Sequence, residues 1–597
     1  MRIAALEHLM TLSGGNKKTS RVQQHVQRAF TILEAFGHCR SIGNTNASRY
    51  GSHVELQFNE RGRMMGAKFL DYLLEKSRVT EPPADESSMS NFQVLYYLVH
   101  SSNNNNDKTL LQLHDTHQFR YLYKNKEMAH TFSSLFTNNR SDWIDLKSNM
   151  KALGIATDKD VWQQLTQILA AIVHLGNIQF ASSQQGKETI IKNTSTLDLI
   201  ALFLGVESKA IENVLLYQTK IVDGDMTTLV LDTTQASKQR DLLAQTLYSL
   251  LFTWIVEAIN KKLCTSNFEN FISLTDFPGF EMPKSSNNNH LMSFDQFRLA
   301  FANEKWHQFM LQQTFDHHIE VYREQTIDRD PATYQSNSKQ CISLMLEATK
   351  ATTTTMEPFI VKNKQHPCLS IKRPDTFTIQ HFTGPATYQR HQFLEKCNET
   401  SLNADFVVLF TSHECQNTLV TKLFKQKTIN TELKGTAVVG AEQSSKPRRS
   451  PSMKRKSNNI KATDNTTEEQ QQHMGQQLYQ LNDAMDELFR TLQETENWWV
   501  LCMNPNDLHL PSSCDGKKLT AQIQMFNVLD LAIRARHEYK IKIPITEFGE
   551  RYGDIIQSTC CSTDMNADLR EMCLAVMGAF NWNNKMMVVG EEQVINY

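Results

Sequence analysis

The stretch "TDFPGFE", Thr275–Glu281, ends an alternating run, "NFISLTDF" (Asn270–Phe277), with an acid, a glycine and a second acid. A second stretch, "NTNASRYG" (Asn44–Gly51), follows the helical pattern "ILEAFG" (Ile32–Gly37) and precedes the alternating strand "HVELQF" (His53–Phe58). A loop rich in amides and hydroxyls can hold phosphate oxygens and Mg²⁺, and an Asp with a flexible Gly after a strand can sense a phosphate through a backbone N–H. Taken singly, each stretch reads equally well as an ordinary Asn/Ser or Asp/Gly turn.

Composition narrows the setting. A chain of 597 residues, 40% apolar and 21% charged, can bury a large core in several subdomains, which excludes a disordered or fibrous protein. A net charge of −2 gives no overall pull toward nucleic acid or membranes, so any electrostatic partner needs a local patch. The 11 cysteines are dispersed, with only Cys560 and Cys561 adjacent, which fits reduced thiols better than a disulfide framework. The N-terminus has no signal-type apolar core, and no run of about 18 apolar residues is expected to span a membrane. A soluble, intracellular protein is expected.

Polar low-complexity segments interrupt the chain at Ser101–Asp107, Ser285–Asn289, Ala351–Thr355 and from about Lys434 to Gln477, and are expected to be surface loops. Between them, Val161–Phe180 and Leu242–Asn260 repeat apolar residues every three or four positions, as long buried helices do. Helices outnumber strands, and the strands end at polar turns, so the architecture is α/β or mixed. "LSGGNKKTSRV" (Leu12–Val22) is a near miss for a phosphate-binding loop: Lys18 and Thr19 fit the last two places of G-x-x-x-x-G-K-[ST], but Leu12 and Lys17 occupy both glycine positions.

Read together, the two opening stretches resemble switch I and switch II of the myosin motor head. Further similar segments follow in the same order: "YLLEKSRV" (Tyr72–Val79), "ILAAIVHLGNIQF" (Ile168–Phe180), "ALFLGV" (Ala201–Val206), "NEKWHQFMLQQTF" (Asn303–Phe315), "HFTGPATYQRHQFLEKCNE" (His381–Glu399) and "WVLCMNPN" (Trp499–Asn506). The resemblance implies an α/β fold of the P-loop NTPase-like kind, a mixed central β-sheet surrounded by helices, with a relay helix and a converter. Residues 1–553 would form the motor-like core, with 430–477 a basic disordered surface loop, and 554–597 a converter-like segment. The phosphate-binding loop is expected ahead of Met1. No light-chain (IQ) motif is present, so light chains are not expected on this piece.

The family's site residues carry over where the motif matches. Ser48 matches a hydroxyl ligand of Mg²⁺, Asp276 an indirect one, and Asn44, Asn46, Ala47, Ser48, Asp276 and Phe280 the nucleotide side. Arg49 and Glu281 match the ion pair that closes the cleft, and Gly279 the γ-phosphate-sensing backbone. Two positions depart: Ala47 replaces a serine that touches the attacking water, and Pro278 removes a backbone donor from a segment that must swing. Alanine in switch I with D-x-P-G-F in switch II resembles class XVIII myosins, weak or inactive ATPases, although Glu281 stands where that class has Gln.

Met292–Tyr322 resembles the relay helix, with its aromatic stripe expected in the core. Gln522–Pro544 occupies the place of the reactive-thiol helices but lacks their hinge glycine and both cysteines, which argues against a large lever rotation. The run "KPRRSPSMKRKSNNIK" (Lys446–Lys461) carries seven basic residues and no acid. The resemblance implies that Lys454, Arg455 and Lys456 face actin filaments, together with apolar positions Leu481, Met485 and Leu488 on the following helix. The expected function is a cytoplasmic, cytoskeletal, actin-binding motor head, with ATP and Mg²⁺ binding implied by the family and hydrolysis weak or lost. A nucleotide-independent actin tether is the second reading. A nuclear or nucleic-acid-associated protein is the third, disfavoured because no aromatics interleave with the basic run.

Overall fold

The computed structural model describes residues 2–14, 17–41, 44–81, 90–101, 109–113, 119–125, 139–183, 188–222, 225–279, 291–325, 333–349, 356–397, 403–425, 477–506, 510, 512–537, 541–559, 569–582, 587–590 and 593–596. The polar segments from Ser285, Ala351 and Lys434 lie outside these residues, as does most of the segment from Ser101. The chain divides into two compact units: Met1–Glu281 with Ser293–Leu299 and Gln392–Ala484, and Met282–Met292 with Ala300–His391 and Met485–Tyr597.

In the first unit the expected strands form as read. Gly51–Phe58 is the centre of a three-stranded sheet, paired antiparallel with Met64–Tyr72 on one side and Asn270–Asp276 on the other. The Gly51–Phe58 strand is buried at seven of its eight positions, which is why its period-two pattern carries polar His53 and Gln57 inward only with partners. His53 Nδ1 meets Thr275 Oγ1 at 2.8 Å and Gln57 Oε1 accepts from Thr265 N–H at 3.0 Å. The expected mixed central sheet does not occur among the described residues, whose paired strands are antiparallel in sheets of two or three.

The periodic segments are helices, longer or shorter than their patterns. Val161–Phe180 becomes Lys159–Leu175, ended before Asn177 and a short strand at Phe180–Ser182. Leu242–Asn260 extends to Thr233–Leu263, because Asp232 and Gln235 make a reciprocal capping box a full two turns ahead of the apolar run. That helix is long and apolar enough to cross a membrane by length and composition, contrary to the expectation of no such run, but 72% of its most apolar window is buried inside the protein.

Asn260 explains how this helix holds the sheet. Met64–Tyr72 is an edge strand, so the outward N–H and C=O of Phe69 have no strand partner. Asn260 Oδ1 accepts from Phe69 N and Nδ2 donates to Phe69 O, both at 2.7 Å. The helix thus completes the edge in the manner of another strand.

The expected relay segment is α-helical over Phe294–Leu311, makes one wider π turn at Gln312–Asp316, and resumes at His317–Glu324; the second unit takes it up from Ala300. Phe294, Phe297, Phe301 and Phe309 are buried, as a core stripe requires. The segment Gln522–Pro544 forms two helices, Gly516–Met525 and Val528–His537, followed by a strand. Asn527 breaks them at φ +53, the left-handed region where a hinge glycine was sought; its side chain donates to Gln335 O and Asp530 Oδ2 and meets His307 Nε2. The C-terminal strands order as Ile541–Pro544, Gln593–Asn596, Met587–Val589. Strand pairing therefore puts Ile541 in the same module as Asn596, and the expected boundary at 553/554 falls inside the helix Ile545–Thr559.

Two outcomes follow. Asn260→Ala strands both backbone groups of Phe69 and is expected to cost about 2–5 kcal/mol in a denaturant melt; a loss below about 1 kcal/mol would mean water replaces the amide. His174, packed against Phe119 and donating to Leu111 O at 2.9 Å, has its pKa pushed below the ordinary 6.5 by burial. The unfolded chain then binds this proton first, so stability falls as pH drops below about 6.5 toward the folded pKa. His174→Gln keeps the donor without the titration, and its stability should decline less than wild type between pH 7.5 and 5; equal slopes would exclude His174 as the source.

Candidate functional site

Most of the stretch Asn44–Gly51 is strand, not loop. Asn44–Ser48 pairs antiparallel with His38–Ser41, through His38↔Ser48, Cys39↔Ala47 and Ser41↔Asn44. Its burial does not alternate: Ala47 is buried opposite fully buried Cys39, while Asn44, Thr45 and Asn46 are exposed where the register shifts between Cys39 and Ser41. Ala47 therefore contributes no polar group.

Most polar groups of this strand already have protein partners. Asn44 Oδ1 accepts from the Asn46 N–H at 2.9 Å. Asn46 Oδ1 meets His38 Nδ1 at 2.9 Å and Gln93 Nε2 at 3.0 Å, and its Nδ2 donates to Glu34 Oε1 at 3.0 Å. Asn46 thereby ties the strand to the helices Lys17–Gly37 and Gln93–Ser101. Ser48 Oγ donates to Tyr50 O at 2.8 Å and must rotate from it to orient its hydroxyl elsewhere.

Arg49 is fixed at both ends of its backbone, donating to Gly37 O at 2.8 Å and accepting from Glu75 N at 2.9 Å. Its guanidinium, 4% exposed, lies 3.6 Å from Glu75 Oε2. Arg78 donates to both oxygens of the same carboxylate at 3.0 Å, so Glu75 serves two arginines. Leu73, at φ +53, makes the abrupt exit from the strand that brings Glu75 back over Arg49, a conformation a bulky side chain rarely adopts. Arg49, Glu75 and buried Pro278 line one cleft with Asp295 and Arg298, themselves paired at 3.4 Å. Burial disfavours the Arg298 cation and makes the Asp295 counter-charge necessary.

The stretch Thr275–Glu281 joins this cleft through the sheet. Asp276 pairs with Ser52, whose Oγ donates to Asp276 O at 3.4 Å, so the ends of the two stretches lie side by side. Gly279 is exposed with open space around its Cα, which leaves its backbone accessible. Phe280 and Glu281 lie outside the described residues, as do Lys454, Arg455 and Lys456. The described partner of Arg49 is Glu75.

The expected docking positions on the helix Gln477–Gln493 need correction. Leu481, Met485 and Leu488 are buried, at 1%, 0% and 4% exposure, because an amphipathic helix turns its apolar stripe into the core. Asp483, Glu487 and Arg490 face outward instead. Sequence reasoning missed Glu75 and Asp295 as counter-ions; each stands three residues before an arginine, the spacing that puts two side chains on one helical face.

The family described as "Myosin head (motor domain)" matches residues 4–595. The chain belongs to the myosin head family. Chitin synthase 8 of Mycosarcoma maydis is 30% identical over 660 residues, spanning 100% of this chain and 32% of that protein. Myosin-5 of Arabidopsis thaliana is 28% identical across 92% of this chain and 34% of its own length, and unconventional myosin-VIIb of Mus musculus 27% identical across 93% and 26%. The chain spans about a third of the length of curated relatives such as these. Membership in the myosin head family implies the P-loop NTPase-like fold class.

A double-mutant cycle tests the cleft. Arg49→Ala or Glu75→Ala alone should cost about 3 kcal/mol, the lower end for breaking a buried pair because Glu75 stays partly exposed. The double variant should cost clearly less than the sum; additive losses would mean the two charges do not interact.

Proposed function

We propose that this myosin head is an actin-filament-binding, cytoskeletal protein of the cytoplasm whose cleft takes ATP and Mg²⁺ but turns the nucleotide over slowly. The observation that supports the nucleotide half is the Ser52↔Asp276 pairing, which brings the ends of the two stretches together, with Arg49 and Pro278 lining one cleft. Ser48 and Asp276 would serve the Mg²⁺, Ser48 directly, with Asn44, Asn46, Ala47 and Phe280 on the nucleotide side and Gly279 at the terminal phosphate. Arg49 would exchange Glu75 for Glu281, or share both, as the cleft closes.

Slow turnover rests on two residues. Ala47 has no hydroxyl to position water, and Pro278 is buried against the cleft without a backbone N–H to offer. The π turn at Gln312–Asp316 would serve as the compliant point of the relay, and the module from Ile541 onward as the converter.

Actin binding would use Lys454, Arg455 and Lys456 for attraction over roughly a Debye length, about 8–10 Å near physiological salt. Co-sedimentation with actin filaments tests it. Wild type should pellet at low salt and progressively less as salt rises, and the Lys454/Arg455/Lys456→Ala variant should bind more weakly at low salt and converge with wild type at high salt. Wild type remaining in the supernatant at low salt would overturn the reading.

A further inference from the structure

The second unit contains a cluster that the proposed function does not use. Glu304 on the helix Phe294–Leu311, Cys341 on the helix Ser338–Thr349 and His381 at the end of the strand Thr376–His381 are all buried, and their donor atoms lie within 4.8 Å of one another. His381 Nδ1 is 3.3 Å from Glu304 Oε1 and 3.6 Å from Cys341 Sγ. Zinc ligands at about 2.0–2.1 Å for N and O and about 2.3 Å for S, set at tetrahedral angles, are separated by about 3.3 Å (N to O) and about 3.6 Å (S to N). The cluster already has that spacing.

Hydrogen bonding alone leaves it incompletely satisfied. One ring nitrogen, which holds at most one proton, faces both a carboxylate and a sulfur. Glu304 Oε1 also accepts the Phe382 N–H at 2.9 Å, while Glu304 Oε2 is buried without a well-formed hydrogen bond, the Ser338 hydroxyl beside the carboxylate being engaged with His307 Nδ1 at 2.9 Å. A carboxylate oxygen left so is expensive in a residue 0% exposed. A cation at the centre would satisfy the carboxylate and replace the contested proton.

The surroundings are those of metal ligands. His381 Nε2 meets the Tyr388 hydroxyl at 3.1 Å, and the Phe382 N–H orients the carboxylate, the outer contacts that fix ligand geometry. The buried Cys368 thiol is within hydrogen-bond reach of Cys341, outside the three-ligand group, and would move in as a fourth donor. Sulfur, imidazole and carboxylate together suit a borderline-soft ion of the zinc class rather than Mg²⁺ or Ca²⁺. With no ligand at the surface, such a site is closed and structural.

We propose that Glu304, Cys341 and His381, with Cys368 as the fourth ligand, bind one zinc-class divalent cation that clamps two helices to the hairpin Thr376–Gln389. On binding, the S–H bonds of Cys341 and Cys368 break, two metal–sulfur bonds form and the two protons pass to solvent; no redox change occurs.

The full chain, expressed in zinc- or cobalt-supplemented medium, provides the test. About one metal per chain should be retained by elemental analysis, and Co²⁺ should give the intense d–d bands of a tetrahedral site with thiolate charge-transfer absorption. Prolonged chelation should lower the melting temperature of wild type. Cys341→Ser and His381→Ala should reduce affinity more than about a hundredfold, and Tyr388→Phe about 10- to 100-fold. Where those variants fail to fold, Cys368→Ala keeps three ligands and should weaken the thiolate bands without abolishing uptake. Absence of metal, equal uptake by wild type and Cys341→Ser, Co²⁺ spectra lacking thiolate absorption, or peptide mapping that finds Cys341 joined to Cys368 as a disulfide would each overturn the proposal.

Discussion

The antiparallel pairing of Gly51–Phe58 with Asn270–Asp276 is the constraint from which the site in the first unit follows. It brings together two stretches more than two hundred residues apart, and it does so only because glycine stands at two close approaches. A Cβ at Gly51 would lie 2.6 Å from the Phe277 ring, and one at Gly37 only 2.4 Å from the Tyr50 ring. Both rings are themselves packed: Tyr50 lies edge-on against Phe252 at 5.0 Å, and Phe277 tilts against Tyr72 at 5.5 Å. Bulk at either glycine would displace a ring, and with it the backbone that hands Arg49 to Glu75.

Much of the fold was legible because it rests on periodicity. The strands His53–Phe58 and Asn270–Phe277 and the two long core helices were readable from apolar spacing, and their ends shifted where capping decides, as at Asp232. Leu481, Met485 and Leu488 show the limit of the same signal. Periodicity says that three side chains share a face; it does not say whether that face meets a partner or the protein's own core, and here the core takes it. Asn44–Ser48 was misread for a related reason. Its amides and hydroxyls suggest a loop when counted by residue type, but its inward Ala47 and the facing Cys39 make it half of a hairpin.

The site was legible in its motifs and obscure in its counter-charges. Arg49, Asp276 and Gly279 stand in recognisable stretches, whereas Glu75 and Asp295 acquire meaning only once a buried arginine needs a neighbour. Asn527 is a parallel case. The absence of a glycine suggested that no hinge existed there, yet asparagine tolerates the left-handed backbone and adds side-chain bonds that glycine cannot. A break built this way is held in place, so its position is preserved while its freedom is reduced.

The same logic separates the two polar clusters by what each still needs. In the first unit, the partners of Asn46 and Glu75 occupy both amide atoms and both carboxylate oxygens, so a bound phosphate would compete with existing hydrogen bonds. A ligand that must displace such bonds binds through the difference between old and new contacts, which favours a cleft that closes around it over one already formed. In the second unit, Glu304 Oε2 has no well-formed bond to surrender, and its carboxylate is held on a rigid helix within reach of a sulfur and an imidazole. An ion entering there gains its contacts without that competition, so the second cluster suits permanent occupation while the first suits exchange.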